Sequence, residues 1–370
     1  MNNLDKIKDF AEKFDKFRNH LREECTKPSV SSTNSDEHKK NKEKYEKFMF
    51  KEIGSAQYNP KISFQNLFKK SWEKIYYAGF NSYQATKLID SINKYSIFDD
   101  FKELTKKSWE FDKDEWIEYR TYCMGKYGKK DWIKKSRSEE ERDFLIKKFF
   151  KKSGKTSIQM MTKSHKHFST GLQMKSNEHK MDKIIKLANL FNKLEKKGVK
   201  YPLEYFVGDE YLNEDQSNIS NETFKEIHSN FNRYLGESGI TSLHLMMELG
   251  FPCVKPDIVL TGLFCDLGFL EKLETHKKWS SEKIKENYTH ESVVNTVLDV
   301  GNKIAKEINS IYGNNSLREL DLVVVKFGQE PARDIGIVRN LNKELLKNGY
   351  SILDVLKNID DEKALKSLYK

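Results

Sequence analysis

The stretch that decides the fold spans residues 231–269 and reads FNRYLGESGITSLHLMMELGFPCVKPDIVLTGLFCDLGF. Its apolar residues recur at spacings of three and four, which is typical of helices, and glycines separate the apolar runs. We predict that one helix ends near Leu235, before a tight glycine-containing turn. A second helix is predicted to begin at Thr241 or Ser242 and to end at Leu249. The pattern is therefore helix, short turn, helix.

A third helix follows after a short connection. Gly250 is suited to end the second helix, because glycine readily adopts the left-handed conformation that helix ends require. Residues 251–255 then cross to the next helix, in which Pro256 is predicted to occupy the first position. Asp257 follows directly, so a carboxylate is expected at the start of this third helix.

The rest of the 370-residue chain carries the same helical periodicity, and no useful length of it alternates with a period of two. We therefore predict an all-α fold. Residues 27–46 are polar and rich in Ser, Asn and Lys, as expected for a linker. The predicted segments are an N-terminal helix and polar linker (1–46), the first part of a core (47–100), a basic, aromatic-rich helical insertion (101–220), the second part of the core (221–345) and a C-terminal helical tail (346–370).

The charge is unevenly distributed along the chain. The 66 basic and 56 acidic residues give a net charge of +10. Residues 126–200 alone hold 22 Lys and Arg against 8 Asp and Glu, a net of +14. Such a block favours a polyanionic partner, above all nucleic acid. The alternative is a solvated lysine surface in a chain whose composition is biased towards lysine.

Several classes of protein are not expected from this composition. No apolar run approaches the ~20 residues that a membrane span needs, and the first thirty residues are charged throughout, unlike a signal peptide. Four cysteines without a CxxC pair argue against a zinc site, an iron–sulfur cluster and a disulfide framework. We therefore expect a cytoplasmic monomer without a membrane partner, a metal or a cofactor.

The segment 239–257 resembles the helix-hairpin-helix DNA glycosylases, the superfamily of endonuclease III and the alkylation-repair glycosylases. Gly239-Ile240-Thr241-Ser242 is similar to the hairpin, Leu249-Gly250-Phe251 to the helix stop, and Lys255-Pro256-Asp257 to the segment with the family's aspartate. The resemblance implies a divergent member, a helical bundle interrupted by the long basic insertion. It also implies a set of residues that contact the DNA backbone: Gly236, Gly239, Ile240, Thr241 and Ser242.

Asp257 is the catalytic residue that the resemblance implies. A carboxylate beside the sugar can stabilise the positive charge that develops when an N-glycosidic bond breaks, and it can orient the attacking water. The alternative is that Asp257 simply caps a helix. Bifunctional family members use a hairpin lysine to cut the strand, but Thr241 occupies that position here. Lys255 is a possible auxiliary group, and no metal or cofactor is needed.

A base pocket or wedge is implied by a second similarity, at IYYAGFNSYQAT (75–86), which resembles the early family helix that carries the gap-filling residue. The candidates there are Tyr76, Tyr77, Phe80 and Asn81, and the alternative for each is ordinary core. A third similarity, LRELDLVVVKFG (317–328), resembles the late Leu-Asp helix of the family.

The resemblance implies a monofunctional DNA N-glycosylase that acts on double-stranded DNA. It would flip a damaged or modified base out of the stack, excise it and leave an abasic site. The long insertion could serve a bulky modified base of the phage type, which would make this an antiviral defence enzyme as well as, or instead of, a repair enzyme. The alternative is a non-catalytic, helical nucleic-acid-binding protein that uses the hairpin and the basic block for backbone contacts.

Overall fold

Helices joined by short turns form the secondary structure of the described part of the chain. The computed structural model describes residues 3–27, 35–54, 57–78, 86, 89–90, 93, 98–105, 180–214, 216, 219–236, 239–270, 279–308, 316–328, 345 and 347–369. No β-strand occurs within these residues, which confirms the all-α prediction. In chain order the α-helices described are α1 (Asn3–Thr26), α2 (Ser35–Met49), α3 (Phe64–Tyr77), α4 (Phe101–Thr105), α5 (Lys180–Lys196), α6 (Leu203–Val207), α7 (Asn221–Leu235), α8 (Ile240–Glu248), α9 (Ile258–Asp266), α10 (Ser281–Glu286), α11 (Glu291–Glu307), α12 (Ser316–Gly328), α13 (Ile352–Lys357) and α14 (Glu362–Ser367). A short π-helix (Phe50–Gly54) directly follows α2.

The chain divides into two units that interleave along the sequence. Unit 1 comprises residues 1–59, 215–220 and 238–370, and unit 2 comprises residues 60–214 and 221–237. The predicted core segment 221–345 therefore contributes α7 to unit 2 and α8 to α12 to unit 1. Among the helices described in either unit, none is both long and apolar enough to cross a membrane.

Helix α1 belongs to the hydrophobic core of unit 1. Its apolar side chains recur every three or four residues and therefore share one face. That face is buried, with each of the following at most 3% exposed: Ile7, Phe10, Phe14, Phe17 and Leu21. The helix packs against α2, α11 and α13, and the ring of Phe10 meets the ring of Phe269 edge-on at 5.8 Å. Each buried side chain of this size contributes roughly 1.5–3 kcal/mol, so α1 is an integral part of unit 1.

The linker predicted at 27–46 is wrong over most of its length, because α2 spans Ser35–Met49. The helix packs against α1, and its Tyr45 and Met49 side chains are 4% and 5% exposed. Lys and Glu, which dominate this segment, have high helix propensity in spite of their polarity. Two buried apolar side chains and the contact with α1 suffice to stabilise the helix, which composition alone did not indicate.

An aromatic cluster forms the core of unit 2. Helix α3 begins after Ser63, whose hydroxyl accepts a hydrogen bond from the Asn66 N–H at 3.2 Å, and its aromatic residues lie on one face. They contact rings from 98–101 and from α5. The centroid distances are 5.0 Å for Trp72–Phe98, 5.4 Å for Phe64–Phe191 and 5.7 Å for Phe68–Phe101. The described ends of the predicted insertion therefore contribute core residues of unit 2.

Gly250 ends α8 in a conformation that favours glycine. Its φ is +87°, its N–H donates to Met247 O at 3.3 Å, and the Phe251 N–H donates to Met246 O at 3.0 Å. This pair of bonds is a Schellman motif, and it confirms the helix stop predicted from Leu-Gly. A Cβ at this position would lie 2.3 Å from the backbone nitrogen of Tyr58. The 57–59 segment therefore lies directly against the backbone of Gly250.

Gly250→Ala should destabilise the protein by about 1–3 kcal/mol more than Gly349→Ala, because its Cβ must displace the backbone of Tyr58. Both glycines belong to unit 1 and have positive φ, +87° and +77°, which costs any L residue about 1–2 kcal/mol. A Cβ at Gly349 meets nothing within 4 Å. Urea unfolding of the two variants measures the difference in their free energies of unfolding. Equal losses of stability would show that the close approach of Tyr58 to Gly250 does not affect stability.

Candidate active site

The loop between α8 and α9 (residues 249–257) contains the candidate site, and hydrogen bonds connect it to α8. The Cys253 thiol donates to Leu243 O at 3.6 Å, and the Cys253 N–H donates to Phe251 O at 2.9 Å. Cys253 and Val254 are 1% and 0% exposed. Burial raises the pKa of the Cys253 thiol well above its usual range, so the thiol keeps its proton and remains a donor.

Asp257 is the N-cap of α9. Its Oδ1 accepts hydrogen bonds from the Val259 and Leu260 N–H groups, both at 3.0 Å. The prediction that Pro256 opens the helix is wrong, since the first helical residue is Ile258 and Pro256 precedes the cap. An aspartate at the N-cap satisfies two N–H groups that would otherwise lack an acceptor, which sets the helix start at this residue.

Lys255 lies between Asp257 and a second carboxylate. Its Nζ is 3.6 Å from Asp257 Oδ2, the oxygen that does not cap the helix. Its backbone N–H donates to Asp321 Oδ1 at 2.9 Å. The side chains of Lys255 and Asp257 are 26% and 13% exposed, so this ion pair lies at the edge of the protein interior rather than within it.

Asp321, on α12, is a site residue that the sequence analysis did not identify. It is 7% exposed, and burial raises its pKa to about 7. The charge of Asp257 adds to this increase, whereas Lys255 and Arg318 oppose it. A signal existed in the sequence, because Asp321 follows Leu320 on a helix whose apolar residues recur at helical spacing. A carboxyl on such a face requires a buried partner.

The arrangement places a carboxylate oxygen at an accessible helix N-terminus. Asp257 Oδ1 is occupied by the helix cap, while Oδ2 faces the Lys255 ammonium. The neighbouring Ile258 is 57% exposed, so this end of α9 lies at the protein surface. A carboxylate fixed in this way can stabilise a nearby positive charge or accept a proton without having to change its own conformation.

The predicted backbone-binding turn is formed at the N-terminus of α8. Gly239 has φ +72°, and its carbonyl oxygen accepts a hydrogen bond from the Leu243 N–H at 3.1 Å. Ser242 is fully buried and its hydroxyl donates to Gly239 O at 2.7 Å, while Thr241 is 9% exposed. An outside acceptor would therefore meet the start of α8 through the N–H groups of Ile240 and Thr241 or the Thr241 hydroxyl, rather than through the Ser242 hydroxyl.

Gly236, the other predicted backbone-binding glycine, belongs to unit 2. Its N–H donates to Asn232 O at 3.3 Å and thus continues the hydrogen bonds of α7. Gly239 to Ser242 belong to unit 1, together with Asp257 and Asp321. The turn residues of α8 and the candidate carboxylates are therefore parts of the same unit.

The predicted base-pocket residues have different surroundings. Tyr76 is 2% exposed, with its ring 6.0 Å from Trp72 and 6.3 Å from Phe98, which favours the core interpretation for this residue. Tyr77 is half-buried, its hydroxyl is 2.8 Å from Thr86 Oγ1, and the Lys74 ammonium is 5.1 Å from its ring centroid. Phe80 and Asn81 lie outside the described residues.

The basic block lies mostly outside the described residues, which resume at position 180 with α5. Among the residues that the structure does describe, no group of three or more His, Cys, Asp or Glu side chains could hold a metal ion.

Comparison of the chain with protein-family models, with curated proteins and with solved structures finds no match.

Proposed function

We propose that the protein is a monofunctional DNA N-glycosylase of the helix-hairpin-helix type, with a long basic insertion. The observation that carries the proposal is the placement of Asp257. Its carboxylate caps α9 through one oxygen, keeps the second oxygen at the edge of the protein, and belongs to the same unit as the Gly239 turn. The proposed chemistry needs a carboxylate close to a site that binds the DNA backbone.

The proposed reaction begins with DNA held by its phosphates. The N–H groups of Ile240 and Thr241, at the positive end of α8, suit a phosphate and cannot distinguish bases. The target nucleotide is then flipped out of the stack, which exposes its N-glycosidic bond. As the N-glycosidic bond lengthens, Asp257 stabilises the positive charge on the deoxyribose and orients the water that attacks it.

The proposed substrate is a damaged or modified base in double-stranded DNA. The net charge of +14 over residues 126–200 supports a polyanionic partner. The length of the insertion supports a bulky modified base of the phage type as the most distinctive candidate. A defence role against phage follows from that substrate, and a repair role follows from a damaged base.

A substrate survey tests the activity directly. Under single-turnover conditions, DNA that contains alkylated bases, mismatches or hypermodified phage bases should yield free base and alkali-labile sites on at least one substrate. Release of base from none of them, combined with salt-dependent binding to all of them, would favour the alternative function. That alternative is a non-catalytic protein in which Asp257 does no more than cap α9.

We expect the product to be an intact strand with an abasic site, nicked only after alkali or heat. Thr241 replaces the lysine of bifunctional family members, and a hydroxyl cannot form an iminium with the sugar aldehyde. Borohydride should therefore trap no covalent enzyme–DNA adduct.

Lys255 is the residue whose behaviour could contradict this expectation, because its ammonium lies 3.6 Å from Asp257 Oδ2. If borohydride traps an adduct and Lys255→Ala abolishes it, the attacking group is Lys255 and the monofunctional assignment is wrong. Lys285→Ala is the matched control, since Lys285 pairs with Asp266 at the opposite end of α9 and should not affect trapping.

A further inference from the structure

Asp321 is a buried carboxyl that the proposed reaction does not use. It is 7% exposed and comes from α12, which packs against α9 and α11 within unit 1. Its Oδ1 accepts the backbone N–H of Lys255 at 2.9 Å, two residues before Asp257. Burying a carboxyl is costly unless it is hydrogen-bonded, and the Lys255 N–H supplies such a bond.

We propose that Asp321 is a positioning residue for Asp257, which it holds in place by binding the backbone of the segment that leads to it. The proposal rests on the proposed function, since it concerns the same reaction. Lys255 is the link, because its backbone is bound by Asp321 and its ammonium lies beside Asp257. Asp321 therefore controls where the Lys255–Asp257 segment sits relative to α12, while the helix cap controls how Asp257 is oriented.

Two anchors at different points restrict the segment more than one does. The helix cap fixes Asp257 to α9, and the hydrogen bond to Asp321 fixes Lys255 to α12. Because α9 and α12 pack against each other, the position of the candidate catalytic oxygen is set by both helices. Displacement of a catalytic group by about 1 Å can cost roughly 100-fold in rate. A buried hydrogen bond to the backbone is an effective way to prevent such a shift.

The same carboxyl should make the site sensitive to pH. Its charged neighbours are Asp257 and Lys255 from the loop and Arg318 from its own helix, and the Cys253 thiol is a further titratable neighbour. Burial and Asp257 raise the pKa of Asp321 to about 7, so it ionises near neutral pH. The added negative charge near the developing cation should increase the rate as the pH rises through this value.

The stability of the folded protein should fall, rather than rise, as the pH increases towards 7. An unfolded aspartate releases its proton near pH 4, whereas folded Asp321 keeps it until about pH 7. The stability that this proton contributes is therefore complete below about pH 4 and is lost as the pH rises to about 7. The Asp321→Asn variant lacks this titration. Its melting temperature, relative to that of the wild type, should therefore increase as the pH rises from about 4 to about 7.

The test compares Asp321→Asn with Asp321→Ala in the full-length protein. Asn keeps an oxygen acceptor for the Lys255 N–H but cannot ionise, whereas Ala removes the acceptor. Single-turnover base release by the Ala variant should fall roughly 10- to 100-fold, while the Asn variant stays within a few-fold of wild type at pH 6 and lacks the rate increase near pH 7. Asp299→Asn, at an exposed i,i+4 pair with Lys303, is the control and should keep the wild-type pH profile.

A second readout does not depend on activity. In the wild type, the amide resonance of Lys255 should titrate with a midpoint near pH 7, and in the Asn variant it should be constant between pH 5 and 9. If the resonance titrates but no substrate loses a base, the placement of Asp321 holds and the proposed glycosylase function fails. If the Ala variant releases base at the wild-type rate, the positioning role is wrong, and if the resonance does not titrate, the proposed pH sensitivity of the site is wrong.

Discussion

Replacing Asp257 by Asn is expected to slow single-turnover base release by at least about 100-fold, with DNA affinity changed by no more than a few-fold. The carboxylate acts on a positive charge that exists only in the transition state, so its loss should appear in the rate rather than in binding. Asn caps a helix about as well as Asp, so α9 should begin at the same residue. The measurements are base release and fluorescence anisotropy at one fixed salt concentration.

Asp266→Asn is the matched control for this substitution. It removes a carboxylate from the last residue of α9, where Asp266 pairs with Lys285 at 2.5 Å on the surface. Surface ion pairs contribute little to folding stability, so the variant should stay folded and its rate of base release should stay within a few-fold of wild type. Near wild-type release by Asp257→Asn would rule out this carboxylate as the catalytic group and leave it as a helix cap.

Replacing Glu319 by Ala is expected to destabilise unit 1 by about 3–5 kcal/mol. Glu319 is fully buried, and its Oε1 accepts from Arg18 Nη1 at 3.0 Å, which joins α12 to α1. The Arg18 side chain is only 7% exposed, so in this variant a buried charge would lose Glu319 while Asp15 stays 3.3 Å from its Nη2. Urea unfolding followed by circular dichroism measures the loss.

Two further variants separate the cost of a buried charge that has lost Glu319 from the loss of packing. The double variant Arg18→Met with Glu319→Leu removes both charges and should recover most of the stability, because buried ion pairs rarely outperform apolar replacements. Asp299→Ala breaks an exposed pair with Lys303 and should cost no more than about 1 kcal/mol. A loss of similar size in Glu319→Ala would show that the buried pair is not a principal link between α1 and α12.

Much of the local structure around the candidate site could be predicted from the order of residues. Gly250 ends α8 with a positive φ, as the Leu249-Gly250 pair indicates, because few other residues adopt that conformation at low energetic cost. Asp257 was expected at a helix start and is the N-cap of α9. Such features depend on backbone angles and on hydrogen bonds between near neighbours in the chain, so a short stretch of sequence contains the information for them.

Other features depend on partners that are distant in the chain. Most of α2 falls in the predicted linker (27–46), because the segment is rich in charged residues and Tyr45 becomes buried only when α1 lies beside it. Tyr76 satisfies the pattern of a wedge and of a core residue equally well, and the packing of Trp72 and Phe98 decides for the core.

The sequence by itself determined the all-α class of the described residues, the helix stop at Gly250 and the carboxylate at the start of α9, since spacing and backbone preference suffice for each. Only the tertiary structure decided that Asp321 binds the Lys255 amide across 66 residues of chain and lies near Asp257. Burial and charge act through space, so a carboxyl's hydrogen-bond partner and its pKa are set by packing of the helices rather than by neighbours in the chain.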